Sequence, residues 1–158
     1  MKNNIVLAFE KYFESLDELK KLGVIKNQKD FTSQLGEWVA SVIYKGKLAQ
    51  SGKQKDWDLQ VGEEFYQIKT HAKSSTTKRK DTDFKYVEES IINYLIIIVF
   101  DENYKIEKIF KVPFKEACKL VDRTKKELVI KWSLLERDFS ENLVDIYVQN
   151  EILNFFKK

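Results

Sequence analysis

Apolar and polar positions follow two different periods along this chain, and the changes of period mark its elements. Between residues 4 and 22, Ile5, Phe9, Tyr12, Phe13, Leu16 and Leu19 recur at steps of three and four, which predicts an amphipathic helix. Gly23 is placed to stop it. A second helix is predicted from Asp30 or Thr32, both good N-caps, to about Tyr44. Its apolar side carries Phe31, Leu35, Trp38, Val39, Val42 and Ile43. The other side is small and polar (Ser33, Gly36, Glu37, Ala40, Ser41), so this helix can approach another backbone or a ligand closely. Short strands are predicted at 56–61 and 64–72, then a polar, basic loop over 73–83. The run Tyr94 to Phe100 is the longest apolar stretch and has the length of a buried strand. The turn 101–104 leads to a strand at 105–112, and Pro113 suits the first turn of a helix through Leu120. A strand at 128–132 and an amphipathic helix over roughly 143–157 complete the order α, α, β, β, β, β, α, β, α. That order predicts an α/β fold, a central mixed β-sheet flanked by α-helices.

The pair of strands at 56–61 and 64–72 carries the most specific pattern. If Gly62 and Glu63 form a two-residue turn, Gly62 supplies the positive φ that a type II′ turn needs at its first position. Val61 then pairs with Glu64, Asp58 with Gln67, and Asp56 with Lys69. Side chains alternate along a strand. Asp56, Asp58 and Gln60 therefore share one face with Gln67, Lys69 and His71, while Trp57, Leu59, Tyr66 and Ile68 turn toward the core. A slip of one residue would destroy this arrangement.

Composition narrows the class more than the function. A chain of 158 residues with 43% hydrophobic and 13% aromatic content is expected to form one ordered domain, with its N-terminal helices at about 4–44 and the polar hairpin at about 56–72. Net charge is only +3, too little by itself to imply a polyanionic partner. Cys118 is the only cysteine, so no intrachain disulfide can form and a reducing compartment is expected. Neither a signal-peptide core nor a membrane-length apolar run is present, and the expectation is a soluble, cytoplasmic protein with no membrane partner.

Carboxylate and carbonyl oxygens are hard ligands suited to Mg²⁺, and a nearby lysine can stabilise charge developing on a phosphate. The run Asp56-Trp57-Asp58-Leu59 followed by Tyr66-Gln67-Ile68-Lys69 resembles the PD-(D/E)xK, or restriction-endonuclease-like, nuclease superfamily. The likeness extends over roughly residues 30–120, from Leu35-Gly36-Glu37-Trp38 to the Ile-Val-Phe-Asp-Glu-Asn-Tyr run, and is similar to small stand-alone bacterial members. The resemblance implies a restriction-endonuclease-like core and Mg²⁺-dependent hydrolysis of DNA, with Mn²⁺ as a possible substitute. It implies Asp58 and Gln67 as metal ligands, Glu37 as an auxiliary ligand from the helix, and Lys69 as the transition-state cation. It further implies a homodimer, because small restriction-type nucleases commonly cut both strands as dimers. Two positions depart from the pattern: Gln67 stands where Glu is commoner, removing one negative charge, and Trp57 replaces the name-giving proline.

The loop after Lys69 intersperses cations with hydroxyls. Lys73, Ser74, Ser75, Lys78, Arg79 and Lys80 are the candidate DNA contacts, and Lys45, Lys47, Lys53 and Lys55 could widen the rim. The bland alternatives are a solvated loop and a surface Asp56–Lys69 ion pair of little energetic weight. His71 reads as a strand-end side chain and Cys118 as core packing. Tyr94, Phe100, Phe110, Phe114 and Trp132 read as core aromatics. The alternative functions are a catalytically inactive nuclease-fold DNA-binding module and a partner subunit that keeps only the fold.

Overall fold

From Leu95 to Phe100 no side chain reaches solvent in the computed structural model, which describes residues 4–50, 57–85, 90–124 and 126–158. This strand is the middle of the chain's α/β core. In chain order the elements are α1 (Asn4–Lys21), α2 (Phe31–Tyr44), β1 (Lys47–Leu48), β2 (Leu59–Val61), β3 (Glu64–Ala72), β4 (Asp81–Asp83), β5 (Tyr94–Phe100), β6 (Ile106–Pro113), α3 (Phe114–Leu120), β7 (Val129–Lys131) and α4 (Leu143–Gln149), with a 3-10 helix at Glu151–Phe156. A five-stranded mixed sheet has the order β1-β2-β3-β5-β6, and β4 pairs with β7 in a second, two-stranded sheet. β3 and β5 run parallel, with Ile68 beside Ile96 and Lys69 beside Ile97; the other pairs in this sheet are antiparallel.

Both faces of the sheet are covered, which is why β5 is apolar throughout rather than alternating. On one face Leu59, Tyr66, Ile68, Ile96, Ile98 and Phe100 pack with Leu35, Val39 and Ala40 of α2 and with Ile146, Leu153 and Phe156 from the C-terminal helices. On the other, Leu95, Ile97, Val99, Phe110 and Val112 meet Phe114, Ala117, Ile130, Trp132 and Leu135. Lys111 of β6 is held among three tyrosines, its Nζ lying 4.4 Å from the ring centre of Tyr94 and 5.1 Å from those of Tyr44 and Tyr66. Each ring face offers this ammonium partial compensation for the water it has lost.

Several predicted boundaries are matched closely. α2 begins at a capping Asp30, whose carboxylate accepts the Ser33 N–H at 3.2 Å. β3 and β5 occupy 64–72 and 94–100 as expected, and Gly23 has a φ of +74° at the end of α1. In the hairpin Val61 pairs with Glu64, and Gly62, at φ +59°, is the turn residue with positive φ, as a type II′ turn requires.

Four expectations are corrected. The segment 73–83 is a loop only to residue 80, because Asp81–Asp83 form β4 against β7. That pairing joins residues about fifty positions apart, so no local period announces it. β1 was likewise not foreseen; at two residues it is too short to show alternation. The C-terminal stretch is two elements, α4 and the 3-10 helix, separated at Asn150. Finally, the ladder between β2 and β3 stops at Leu59 opposite Tyr66. Asp58 is a bend: its N–H goes to the Tyr66 carbonyl at 2.9 Å, and it does not pair with Gln67 in the ladder. Strand alternation fails at this bend, so Trp57 packs on Phe65 and the second core cluster, opposite to Leu59. Asp56, Lys53 and Lys55 lie outside the described residues.

Candidate functional site

Glu37 owes its position to its neighbour. Gly36 faces β3 so closely that a Cβ there would lie 1.8 Å from Thr70 Oγ1 and 2.8 Å from Thr70 Cβ. The absent side chain lets α2 settle onto the strand and carries Glu37 to the sheet's polar hairpin. Asp58 reaches the same place from the bend that precedes β2. Its Oδ2 accepts the Ile68 N–H at 2.7 Å, so the side chain substitutes for the main-chain carbonyl that the ladder lacks there.

Glu37 senses the charge of Asp58. Burial first, and then the negative charge of Asp58, raise Glu37 above the ordinary glutamate range, partly offset by Lys26. Burial also raises Asp58, against the Ile68 N–H and the positive charges of Lys69 and Lys26. Lys26 Nζ lies 3.9 Å from Glu37 Oε2 and donates to the Ala49 carbonyl at 2.6 Å. Sequence reasoning missed Lys26 because it sits in the connection between α1 and α2, where no period or motif marks it. Asp58 thus links Glu37 of α2, which feels its charge, with Lys69 of β3, whose charge it feels. Gln67 is half-buried on β3 and makes no side-chain hydrogen bond among the described residues.

A carboxyl whose native pKa lies above its unfolded value binds its proton more tightly when folded. Stability therefore falls as pH rises through the native pKa, and the cost is fully present above it. Glu37→Gln is expected to raise the thermal midpoint at pH 7 without metal, with the gain vanishing below the ordinary carboxyl range near pH 4. Thermal unfolding followed by circular dichroism across that range checks this; an unchanged or lower midpoint at pH 7 contradicts it.

Could these groups hold a metal? Among the described residues no three of His, Cys, Asp and Glu come together for one. The donor set is two carboxyl groups that burial raises, one of them raised further by the other's charge, with the amide oxygen of Gln67 on the adjoining strand. This suits a hard dication that takes only part of its shell from protein.

His71 is not a ligand candidate. Its Nε2 lies 3.0 Å from Thr82 Oγ1, and the same oxygen accepts the Trp132 indole N–H at 2.7 Å. The Thr82 hydroxyl is then free to donate to His71, which is satisfied as a neutral ring. Burial, followed by the charge of Arg79, lowers its pKa to about 4. The residue thus joins the two sheets.

Beyond His71 the structure regroups the predicted DNA contacts. Lys73, Arg79 and Lys80 line a cleft of about 560 Å³, and Lys108 from β6 and Lys131 from β7 complete its basic wall. The last two were not foreseen, since only the fold brings those strands to this loop. Ser74 bonds within the loop, to Thr76 Oγ1 at 3.2 Å and from the Thr77 N–H at 3.0 Å, and neither Ser75 nor Lys78 lines the cleft. Several of the cations have carboxylate partners: Lys73 with Glu107, Arg79 with Asp83 at 2.7 Å, Lys108 with Glu136 and Lys131 with Asp122 at 3.1 Å. Lys80 has none among the described residues. Of these pairs Lys108–Glu136 is exposed at both ends, and ion pairs so exposed are weak.

No protein-family model matches the sequence, and no curated protein matches it. No helix among the described residues is long and apolar enough to cross a membrane.

Proposed function

We propose that this chain is a metal-dependent endonuclease that hydrolyses DNA phosphodiester bonds in the cytoplasm, in a restriction or defence setting, on a restriction-endonuclease-like core. One observation carries the reading: the half-buried carboxyl groups of Glu37 and Asp58 stand close enough for the charge of Asp58 to bear on Glu37, and Lys69 of the adjoining strand acts on Asp58. A bound Mg²⁺ would supply a polarised phosphate and an acidified water. Asp58, through the oxygen not engaged by Ile68, and Glu37 would hold it, with Gln67 as a neutral third donor. Lys69 would meet the charge growing on the phosphorus oxygens. Four residues on, at about 3.3 Å per residue, Lys73 begins the basic cleft roughly 13 Å away, placed to receive the phosphates that flank the scissile one. As a homodimer the protein would present two such sites, one for each strand.

The test is conversion of supercoiled plasmid to nicked and linear forms with Mg²⁺ or Mn²⁺, and its arrest by chelator. Metal binding is read separately: Mg²⁺ or Mn²⁺ raises the thermal midpoint of the native chain and does so less for Glu37→Gln. Gln67→Glu adds a charge and is expected to tighten that binding. Retention of DNA in a gel shift without cutting would replace this reading with the inactive binding module. Loss of both would leave the partner-subunit role.

A further inference from the structure

Lys26 lies in the connection between α1 and α2, and that connection is clamped where it passes α2. The side-chain oxygen of Gln34 accepts the N–H groups of Lys26 and Asn27, the latter at 3.1 Å, and the Gln34 amide donates to the Asn27 carbonyl at 3.0 Å. Gln34 is three residues before Glu37 and shares its side of the helix, so the clamp delivers Lys26 to Glu37. The Lys26 ammonium donates to the Ala49 carbonyl at 2.6 Å, and the Ala49 N–H donates to the Asp58 carbonyl at 2.9 Å. Lys26 Nζ stands 3.9 Å from Glu37 Oε2, close enough for an ion pair and too far for a hydrogen bond. Its charge bears on both carboxyl groups.

We propose that Lys26 is the resident counter-ion of this site: its ammonium partly neutralises Glu37 and Asp58 while no metal is bound, and competes with a divalent ion for them. The role rests on the reading of Glu37 and Asp58 as metal ligands. A lysine here can act by position or by charge, and the geometry separates the two. Gly36 seats α2 on β3 and so places Glu37. The Ile68 N–H holds the Asp58 side chain, and main-chain bonds to Ala49 and Tyr66 hold its backbone. Neither carboxyl group depends on Lys26 for its place, which leaves charge as its contribution. The contact with Glu37 is also easily given up. The Lys26 side chain is 44% exposed, and a pair at 3.9 Å loses no hydrogen bond when it opens. The ammonium can therefore turn toward water and keep the Ala49 carbonyl. A dication brings twice the charge of an ammonium, so it prevails above some concentration, and Lys26 sets that concentration.

Isothermal titration calorimetry with Mn²⁺ alone, without DNA, is the test. Lys26→Met keeps the length of the side chain and removes its charge. It is expected to bind Mn²⁺ about five- to tenfold more tightly than the native chain, the order of effect of one partly screened unit charge. The gain should shrink at about 1 M salt, where screening is nearly complete. Lys26→Arg keeps the charge and should bind Mn²⁺ as the native chain does. Without metal, Lys26→Met should lower the thermal midpoint more in the native background than beside Glu37→Gln. The lost bond to Ala49 is common to both backgrounds and cancels in that comparison. Equal or weaker Mn²⁺ binding by Lys26→Met overturns the proposal, while binding by the native chain keeps the metal site standing. Additive effects of Lys26→Met and Glu37→Gln on the midpoint also overturn it. If neither the native chain nor Lys26→Met binds Mn²⁺, the reading of Glu37 and Asp58 as metal ligands falls, and the competition falls with it.

Discussion

Replacing Lys69 by alanine is expected to lower plasmid nicking by about 100- to 1,000-fold while leaving the fold and DNA retention largely intact. The magnitude is that of removing one preorganised charge aimed at a developing oxyanion, about 3–4 kcal/mol in the transition state. The loss falls on turnover rather than on affinity, because a charge that acts mainly on the transition state contributes little to holding the ground state. Lys80→Ala is the contrasting variant. It removes a cleft cation with no carboxylate partner among the described residues, so it should weaken DNA retention and lower the slope of log affinity against log salt by about one. At saturating DNA its turnover should match that of the native chain. Single-turnover cutting and gel shifts at several salt concentrations separate the two. Undiminished nicking by Lys69→Ala would remove Lys69 from the chemistry.

Gly36→Ala is expected to destabilise the protein by about 3 kcal/mol, although alanine is the better helix former by about 1 kcal/mol. The new Cβ would meet Thr70 Oγ1 at 1.8 Å, Cγ2 at 2.7 Å and Cβ at 2.8 Å. Rotating the threonine clears the first two contacts but not the third, so α2 must retreat from β3. Glu37 is the next residue and retreats with it, so metal binding should fall even where the variant folds. Thr70→Ala in the same chain should recover part of the stability, since it removes two of the three obstructing atoms. On its own Thr70→Ala should cost little. Thr70 Oγ1 is buried and has no hydrogen-bond partner among the described residues, so its loss leaves none of them unpaired. Urea unfolding of the two single variants and the double variant measures the coupling directly. Independent, additive effects would show that the α2–β3 approach does not depend on Gly36.

Local chemistry determined much of this protein. Period, caps and turn residues located α1, α2, β3, β5 and the hairpin turn at Gly62, because each is decided by neighbours within a few positions. The small face of α2 was legible for the same reason: Gly36 stands where the helix comes close to β3, and Ala40 is buried. The candidate residues were legible as types: a carboxylate on α2, a second beside the hairpin and a lysine on β3, though the second lies at a bend and not in the strand.

Tertiary structure decided the rest. Strand alternation placed Asp58 across from Gln67, but the chain bends there, and the Asp58 carboxylate takes the Ile68 N–H instead. A bend driven by one side-chain hydrogen bond leaves no trace in a pattern of apolar and polar positions. Lys26 reaches Glu37, and Lys108 and Lys131 reach the basic loop, only because distant segments pack together. β4 exists only because β7 pairs with it. The same limit applies to α1. Its stripe announced a helix, since a 3.6-residue period is a property of the segment. Which surface the stripe meets is a property of the assembled molecule, and most of it meets none within this chain.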